Sequence, residues 1–301
     1  MVQELSLNPF PSGGVTRPGV KPSAYVPLVP QLGVVERIEE LIRSVVRHKL
    51  TPVKDDKGVE ILKGKPELVM VEGEYGYGKT LTLTALYFEL KERKVKIKEN
   101  GKERNIVSIP IYQPLHALIS QPSELIDLLI ERLIAESPEG IKKYLKEVKN
   151  RLEREIEETD ELQKKIYTWK YLVDAAIRKG VDVVVIMLDE LEESIEDYVR
   201  FKSSYKELFA SLREFTDRQV GPVITILGIT PEARDSIEEQ KEAFLRRAVL
   251  LPLPGLTSPE ELTQLAKAYD PNLETYVEKE AIETTYRLAR GNPGVSLAIL
   301  H

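Results

Sequence analysis

Apolar residues return along this chain at two periods. From Val34 to His48 they recur every three or four positions, which predicts an amphipathic helix. Glu67–Glu72 (ELVMVE), Val181–Leu188 (VDVVVIML) and Val223–Ile229 (VITILGI) are instead short, nearly unbroken apolar runs rich in β-branched residues. Such runs are the signature of strands covered on both faces. Val249–Leu253 predicts a further short strand, and Ile106–Tyr112 another. Between the strands, helical spacing fills about 79–93, 123–136, 140–179, 194–218 and 231–247. Strands alternating with helices predict an α/β fold around a parallel sheet.

Turn chemistry divides the pattern. Residues 1–33 are dense in Pro and Gly and predict an extended arm. Asp55-Asp56-Lys57-Gly58 reads as a hairpin tip. Asn100-Gly101, a favoured type I′ pair, predicts a hairpin over 95–111 whose second arm, Ile106–Tyr112, enters the sheet. Lys142–Lys165 alternates basic and acidic residues at helical spacing, the mark of a solvated helical pair or of an inserted arm that contacts a partner. From Ser258 the texture becomes all-helical. Ser258-Pro259-Glu260-Glu261 combines a cap residue, a first-turn proline and a Glu three after the cap. The divisions expected are an arm over 1–33, a core over 34–255 with a helical insertion at about 137–179, and an incomplete small helical unit over 256–301.

The chemistry concentrates where strands end. Gly73-Glu74-Tyr75-Gly76-Tyr77-Gly78-Lys79-Thr80 fits G-x-x-x-x-G-K-S/T without a mismatch, between a buried strand and a helix. Glycines let consecutive N–H groups curl inward onto phosphate oxygens, and the following helix adds the positive end of its dipole. Lys79 is suited to β- and γ-phosphates and the Thr80 hydroxyl to magnesium. The candidate nucleotide-binding residues are Gly73, Glu74, Tyr75, Gly76, Tyr77, Gly78, Lys79, Thr80 and Leu81. Asp189-Glu190 ends the most apolar strand. An aspartate there suits the magnesium shell beside Thr80, and an adjacent glutamate suits polarisation of a water. Thr230 tips the next strand, either beside a γ-phosphate or as cap of the helix opened by Pro231. Arg246 and Arg247 end that helix, as a finger toward a neighbouring subunit's nucleotide or as charge matched to the helix terminus. Gln113 is a candidate to hold Glu190 away from water.

Composition narrows this reading rather than changing it. The absence of cysteine removes thiolate zinc, disulfide and thiol chemistry, and three histidines argue against a transition-metal cluster. With 42% hydrophobic and 31% charged residues the chain reads as globular, and no apolar run is long enough to span a bilayer, so a cytoplasmic protein is expected. A net charge of −6 argues against a coat of positive charge for nucleic acid but permits a local patch.

Together, the loop strand, the DE strand, the Thr-tipped strand, the arginine-ended helix and the closing helices resemble the AAA+ ATPases over most of 34–301. That resemblance implies a three-layer αβα domain with a parallel sheet and a small all-α lid. It implies ATP and Mg2+ as cofactors, Walker A at Gly73–Thr80, Walker B at Asp189-Glu190, sensor 1 at Thr230, an arginine finger at Arg246 or Arg247, and adenine against Val29–Val35. PLPGLTSPEEL with RLARGNPG is similar to the lids of Orc1/Cdc6-like and STAND-type archaeal ATPases, and GEYGYGKT, LDELE and GITPEA are similar to ATP-binding proteins of BREX-type phage defence. One departure stands out: Gly294 occupies the place where many such lids carry a sensor-2 arginine, leaving Arg287 or Arg290 as substitutes. Related chains continue past the third lid helix into a winged-helix module. The resemblance implies a homo-oligomeric ATPase acting on or with DNA; a slow signalling switch with a protein partner is the alternative. A small-molecule kinase would need an acceptor pocket and a separate base, and no candidate for either is evident.

Overall fold

Five parallel strands form the centre of the molecule. They are β3 (Glu67–Glu72), β6 (Ser108–Pro114), β7 (Val183–Asp189), β8 (Val223–Ile229) and β9 (Val249–Pro252), in the order β6–β7–β8–β3–β9. The structure is a computed structural model and describes residues 29–93, 95–99, 101–115, 122–156, 160–190, 214–216, 218–219, 221–235, 247–275 and 277–300. Every residue of β7 and β8 is buried. The reason is visible in β7, where successive side chains point to opposite faces. Val184, Ile186 and Leu188 belong to the apolar cluster on one side of the sheet, and Val183, Val185 and Met187 to the cluster on the other.

Helices cover both faces. α1 (Val29–Arg47) and α2 (Lys79–Lys91) pack on one side; α3 (Pro122–Glu136), α4 (Glu139–Glu155) and α5 (Glu161–Arg178) build the other. The charged stretch 142–165 divides unevenly between two helices. α4 buries only Leu145, Val148 and Leu152 and fits a solvated face. α5 buries nine residues, among them Trp169, whose ring centroid lies 5.3 Å from that of Phe215, so it is a core helix. Full burial of one such side chain is worth about 2 kcal/mol.

Two small hairpins flank the sheet. β1 (Thr51–Lys54) and β2 (Glu60–Lys63) pair around the predicted tip at Asp55–Gly58. That tip is clamped to α5: Asp55 accepts hydrogen bonds from Lys170 Nζ and Tyr171 Oη, each at 2.8 Å, and Tyr167 donates to Asp56. β4 (Lys96–Glu99) and β5 (Lys102–Asn105) form the second hairpin. Here the sequence expectation needs correction. The second arm is β5, not the sheet strand, and the chain breaks between them because the Val107 N–H donates to Asp182 (2.8 Å) while Arg104 ion-pairs with the same carboxylate (2.6 Å). A second correction concerns the arm: helix begins at Val29 rather than Val34. Pro30 falls in the first turn, where its missing N–H would have had no helical partner.

Beyond β9 lie α6 (Pro259–Tyr269), a short 3-10 turn at Leu273–Thr275, α7 (Lys279–Ala289) and α8 (Pro293–Leu300). Ser258 caps α6 as predicted. Leu256, Leu262, Leu265, Leu273, Ile282 and Leu297 form a separate apolar cluster there, giving the all-α lid its own core. Among the described residues no helix is long and apolar enough to cross a membrane.

Candidate functional site

The loop 73–78 leaves the end of β3 and enters α2 through Gly78, whose left-handed backbone (φ 89°) opens the helix with no side-chain cap. The first N–H groups of α2 therefore remain available to an anion. The loop carbonyls need partners of their own. Lys79, a buried lysine, donates from Nζ to Gly73 O (2.8 Å) and Glu74 O (3.3 Å). The next two carbonyls are met from the lid: Asn292 Nδ2 donates to Tyr75 O (2.7 Å) and the Gly294 N–H to Gly76 O (3.0 Å). Tyr77 packs its ring against Gly255, while Tyr75 is 71% exposed.

Asp189, fully buried at the tip of β7, is held from three sides. Tyr112 Oη, at the end of β6, donates to Oδ2 (2.6 Å), and the Glu190 N–H donates to Oδ1 (3.0 Å). Burial, and then the charge of Asp189, push the Tyr112 phenol far above its ordinary value, so it remains a donor. Gly228 of β8 supplies the third constraint by absence: a Cβ there would lie 2.8 Å from Asp189 Oδ1 and 3.1 Å from Leu83. Glu190 takes a left-handed backbone (φ 58°), uncommon for a non-glycine residue and typical of functional sites.

β8 separates β3 from β7, so its tip at Thr230 lies between the loop strand and the acid strand. Thr230 Oγ1 accepts from the Ala233 N–H (3.2 Å), the capping geometry anticipated for it. Helix is described over 231–235 only. Within it, Arg234 pairs with Glu72 (2.9 Å), the residue just before the loop. Sequence reasoning missed Arg234, Glu72, Tyr112 and Asn292. For Tyr112 a signal existed, a hydroxyl-bearing aromatic at the end of an apolar strand; for Asn292 the Asn-Pro pair marked a helix cap, and its reach to the loop had no signal.

The remaining candidates are dispersed. Arg247 is exposed in the turn before β9, and Arg246 lies outside the described residues, as does most of the predicted helix 194–218. Gln113 turns its amide nitrogen to Pro114 O (2.8 Å), and its Oε1 has no hydrogen-bond partner among the described residues. Arg287 pairs with Glu283 on its own helix, and Arg290 ends α7 in left-handed conformation. Val34 and Val35 are buried, Val34 within the cluster beneath α1.

The donor set suits a hard divalent cation. Thr80 and Asp189 offer only oxygen, and Gly228 leaves room for the Asp189 carboxylate itself beside β8. Among the described residues there is no cluster of three or more acidic, His or Cys side chains able to cage a metal. Magnesium characteristically uses one or two protein oxygens, with phosphates and water completing its shell.

Comparison with known proteins agrees with this geometry. The chain is similar in fold to the ORC2 protein of Aeropyrum pernix in its ADPNP–ADP complexes, at 16% identity and a TM-score of 0.53, with 92% of this chain and 63% of that one covered. The ADP form of the same protein gives 14% identity and 0.51, covering 93% and 63%. The Aeropyrum pernix ORC1 protein in complex with DNA gives 13% and 0.50, covering 93% and 59%. The chain thus spans about three fifths of the length of these proteins. No curated protein matches it in sequence. The AAA domain model matches residues 63–237, more than half of the 301, and takes in the loop, the DE tip and Thr230: the chain belongs to the AAA domain family of P-loop proteins.

Proposed function

We propose that this chain is a magnesium-dependent ATPase that assembles through ATP at subunit interfaces and acts on or with DNA. The observation that carries the reading is that the 73–80 loop, Asp189-Glu190 and Thr230 lie at the carboxyl ends of three adjacent parallel strands, β3, β7 and β8. In this reading Lys79 leaves the carbonyls of Gly73 and Glu74 for the β- and γ-phosphate oxygens, and the loop N–H groups hold the rest of the chain of phosphates. Thr80 and Asp189 would hold magnesium, which supplies charge neutralisation at the phosphates. Tyr112 fixes the Asp189 carboxylate. Glu190 accepts the proton of the attacking water, Thr230 orients that water, and Arg246 or Arg247 reaches a neighbour's nucleotide. Residues 34–255 act as the core, with an insertion at about 137–179, and 256–301 as the lid, while Val29–Val35, at the start of α1, meets adenine. The setting is cytoplasmic.

The test is ATP turnover and mass by light scattering across a dilution series. Wild-type turnover should rise with concentration. Lys79→Ala should weaken nucleotide binding about a hundredfold, the worth of charge-assisted bonds to phosphate. Glu190→Gln should bind ATP and accumulate in a larger assembly. Turnover by a monomer independent of concentration would overturn assembly. A second reading, a slow nucleotide switch with a protein partner, is favoured by the GNPG turn, which brings glycine rather than arginine to the loop; ATP retained through purification with near-zero turnover would establish it.

A further inference from the structure

Each of the four consecutive carbonyls of the loop, from Gly73 to Gly76, accepts a hydrogen bond: Gly73 O from Lys79, Glu74 O from Lys79 and the Tyr77 N–H, and the last two from the lid. The lid's share comes from a single turn. Asn292 Oδ1 accepts the Val295 N–H (3.0 Å) and so caps α8, which orients Nδ2 toward Tyr75 O (2.7 Å). One side chain thus starts the last lid helix and grips the phosphate loop. Gly294, two residues on, adds its N–H to Gly76 O (3.0 Å).

Gly76 shows that the two segments are built for each other. The phosphate-loop pattern leaves this position open. Yet Gly76 has φ +83°, and a Cβ there would lie 2.5 Å from Asn292 Oδ1. The same closeness continues behind the turn, where a Cβ on Gly255 would meet Gly291 O at 2.7 Å, and Leu256 N donates to Gly291 O (2.6 Å).

We propose that Asn292 is a positioning residue through which the lid reads and holds the phosphate loop itself, rather than the γ-phosphate, and that this contact sets how long a nucleotide stays bound. The inference rests on the loop being a nucleotide site. Tyr75 O turned outward onto the lid turns the Gly76 N–H of the same peptide inward, toward the phosphates, while the Tyr77 N–H donates back to Glu74 O (3.1 Å) and fixes the bend of the loop. When the lid swings away, both carbonyls lose their partners and the cradle loosens. Reciprocally, phosphates that hold the N–H groups inward hold the carbonyls outward and favour the lid's return, as linkage requires. An arginine at 294 is unnecessary for such coupling.

The discriminating variant is Asn292→Asp in the full chain. Aspartate still caps α8 by accepting the Val295 N–H, but its second oxygen cannot donate to Tyr75 O. Release of a fluorescent methylanthraniloyl-ADP, measured by stopped flow, should be about tenfold faster than in wild type, the consequence of exchanging one hydrogen bond for a carboxylate facing a carbonyl. In nucleotide-free protein, amide hydrogen exchange at Gly294 should rise while the amides of Val295 and Ser296, bonded to Asn292 itself, stay protected. Asn292→Ala, which loses the cap as well, should speed exchange at all three. Wild-type exchange and wild-type release in Asn292→Asp would overturn the proposal; so would faster Gly294 exchange with unchanged release, since the lid would then leave without consequence. A wild type that binds no nucleotide would remove the function proposed above, and the exchange measurement would still decide whether Asn292 ties the lid to the loop.

Discussion

Two turns in this molecule are held by partners distant in sequence, and they are held differently. The hairpin tip at Asp55–Gly58 is fixed to α5 through charge: Asp55, with only 2% of its side chain exposed, meets Lys170, 11% exposed, and the Tyr171 hydroxyl. The phosphate loop is fixed to the lid through neutral donors and backbone carbonyls. Charge-assisted bonds are roughly twice as strong as neutral ones, and removing one partner strands a buried charge. The first arrangement is therefore a permanent fastening. The second is the weaker of the two, and it lies on the glycine-rich loop itself.

Breaking the fastening should have the largest effect. Asp55→Ala should lower stability by about 2 kcal/mol in urea unfolding, because Lys170 keeps only its longer contact to the exposed Asp56 (3.6 Å) and Tyr171 loses its acceptor. The release rate of bound ADP should not change. A slower or faster release would mean that the hairpin and the loop communicate, contrary to the contrast drawn.

Acid should expose the same difference. Burial pushes Asp55 up, but hydrogen bonds from Lys170, Tyr171 and the Val59 N–H outweigh it and hold the carboxyl below its ordinary range. A depressed carboxylate stabilises the fold fully above its unfolded value of about 3.9 and loses that stabilisation as pH falls through the lower folded value. Unfolding midpoints should accordingly fall below about pH 4 in wild type, and Asp55→Asn should flatten that part of the profile. A profile identical in the two proteins would assign the acid sensitivity to other carboxylates.

The smallest effect on stability should come from the loop side. Gly76→Ala strains a left-handed position at a cost of about 1 kcal/mol and presses on Asn292. Nucleotide affinity should fall about tenfold, more than the loss of stability alone would suggest, because the strain acts at the site itself. Combined with Asn292→Asp, Gly76→Ala should cost less affinity than the two single changes added together, because both disrupt the same contact, and full additivity would show that the backbone angle alone matters.

The legible part of this protein was whatever a local pattern could carry. The loop was readable because glycine, lysine and threonine must stand at fixed offsets between strand and helix. Asp189 was readable because it ends a β-branched run buried on both faces. Thr230 was readable as a cap, since Pro231 follows it. The partners that hold these groups were not. Tyr112 meets Asp189 only because β6 lies beside β7 in register, and Asn292 meets Tyr75 only because the lid folds back over the loop. Gly76 and Gly228 look in sequence like incidental glycines; each is required by an atom far along the chain. The hairpin arm was misassigned for a similar reason, since Asp182 breaks the run at Ile106–Val107 from outside the segment.

The order of strands has a metric consequence. Since β8 intervenes between β3 and β7, the tips that bear the glycine-rich loop and the Asp-Glu pair stand two strand spacings apart, about 9.6 Å at about 4.8 Å each. The sheet thus works as a gauge block: its width sets the distance between the glycine-rich loop and the Asp-Glu pair before any ligand arrives.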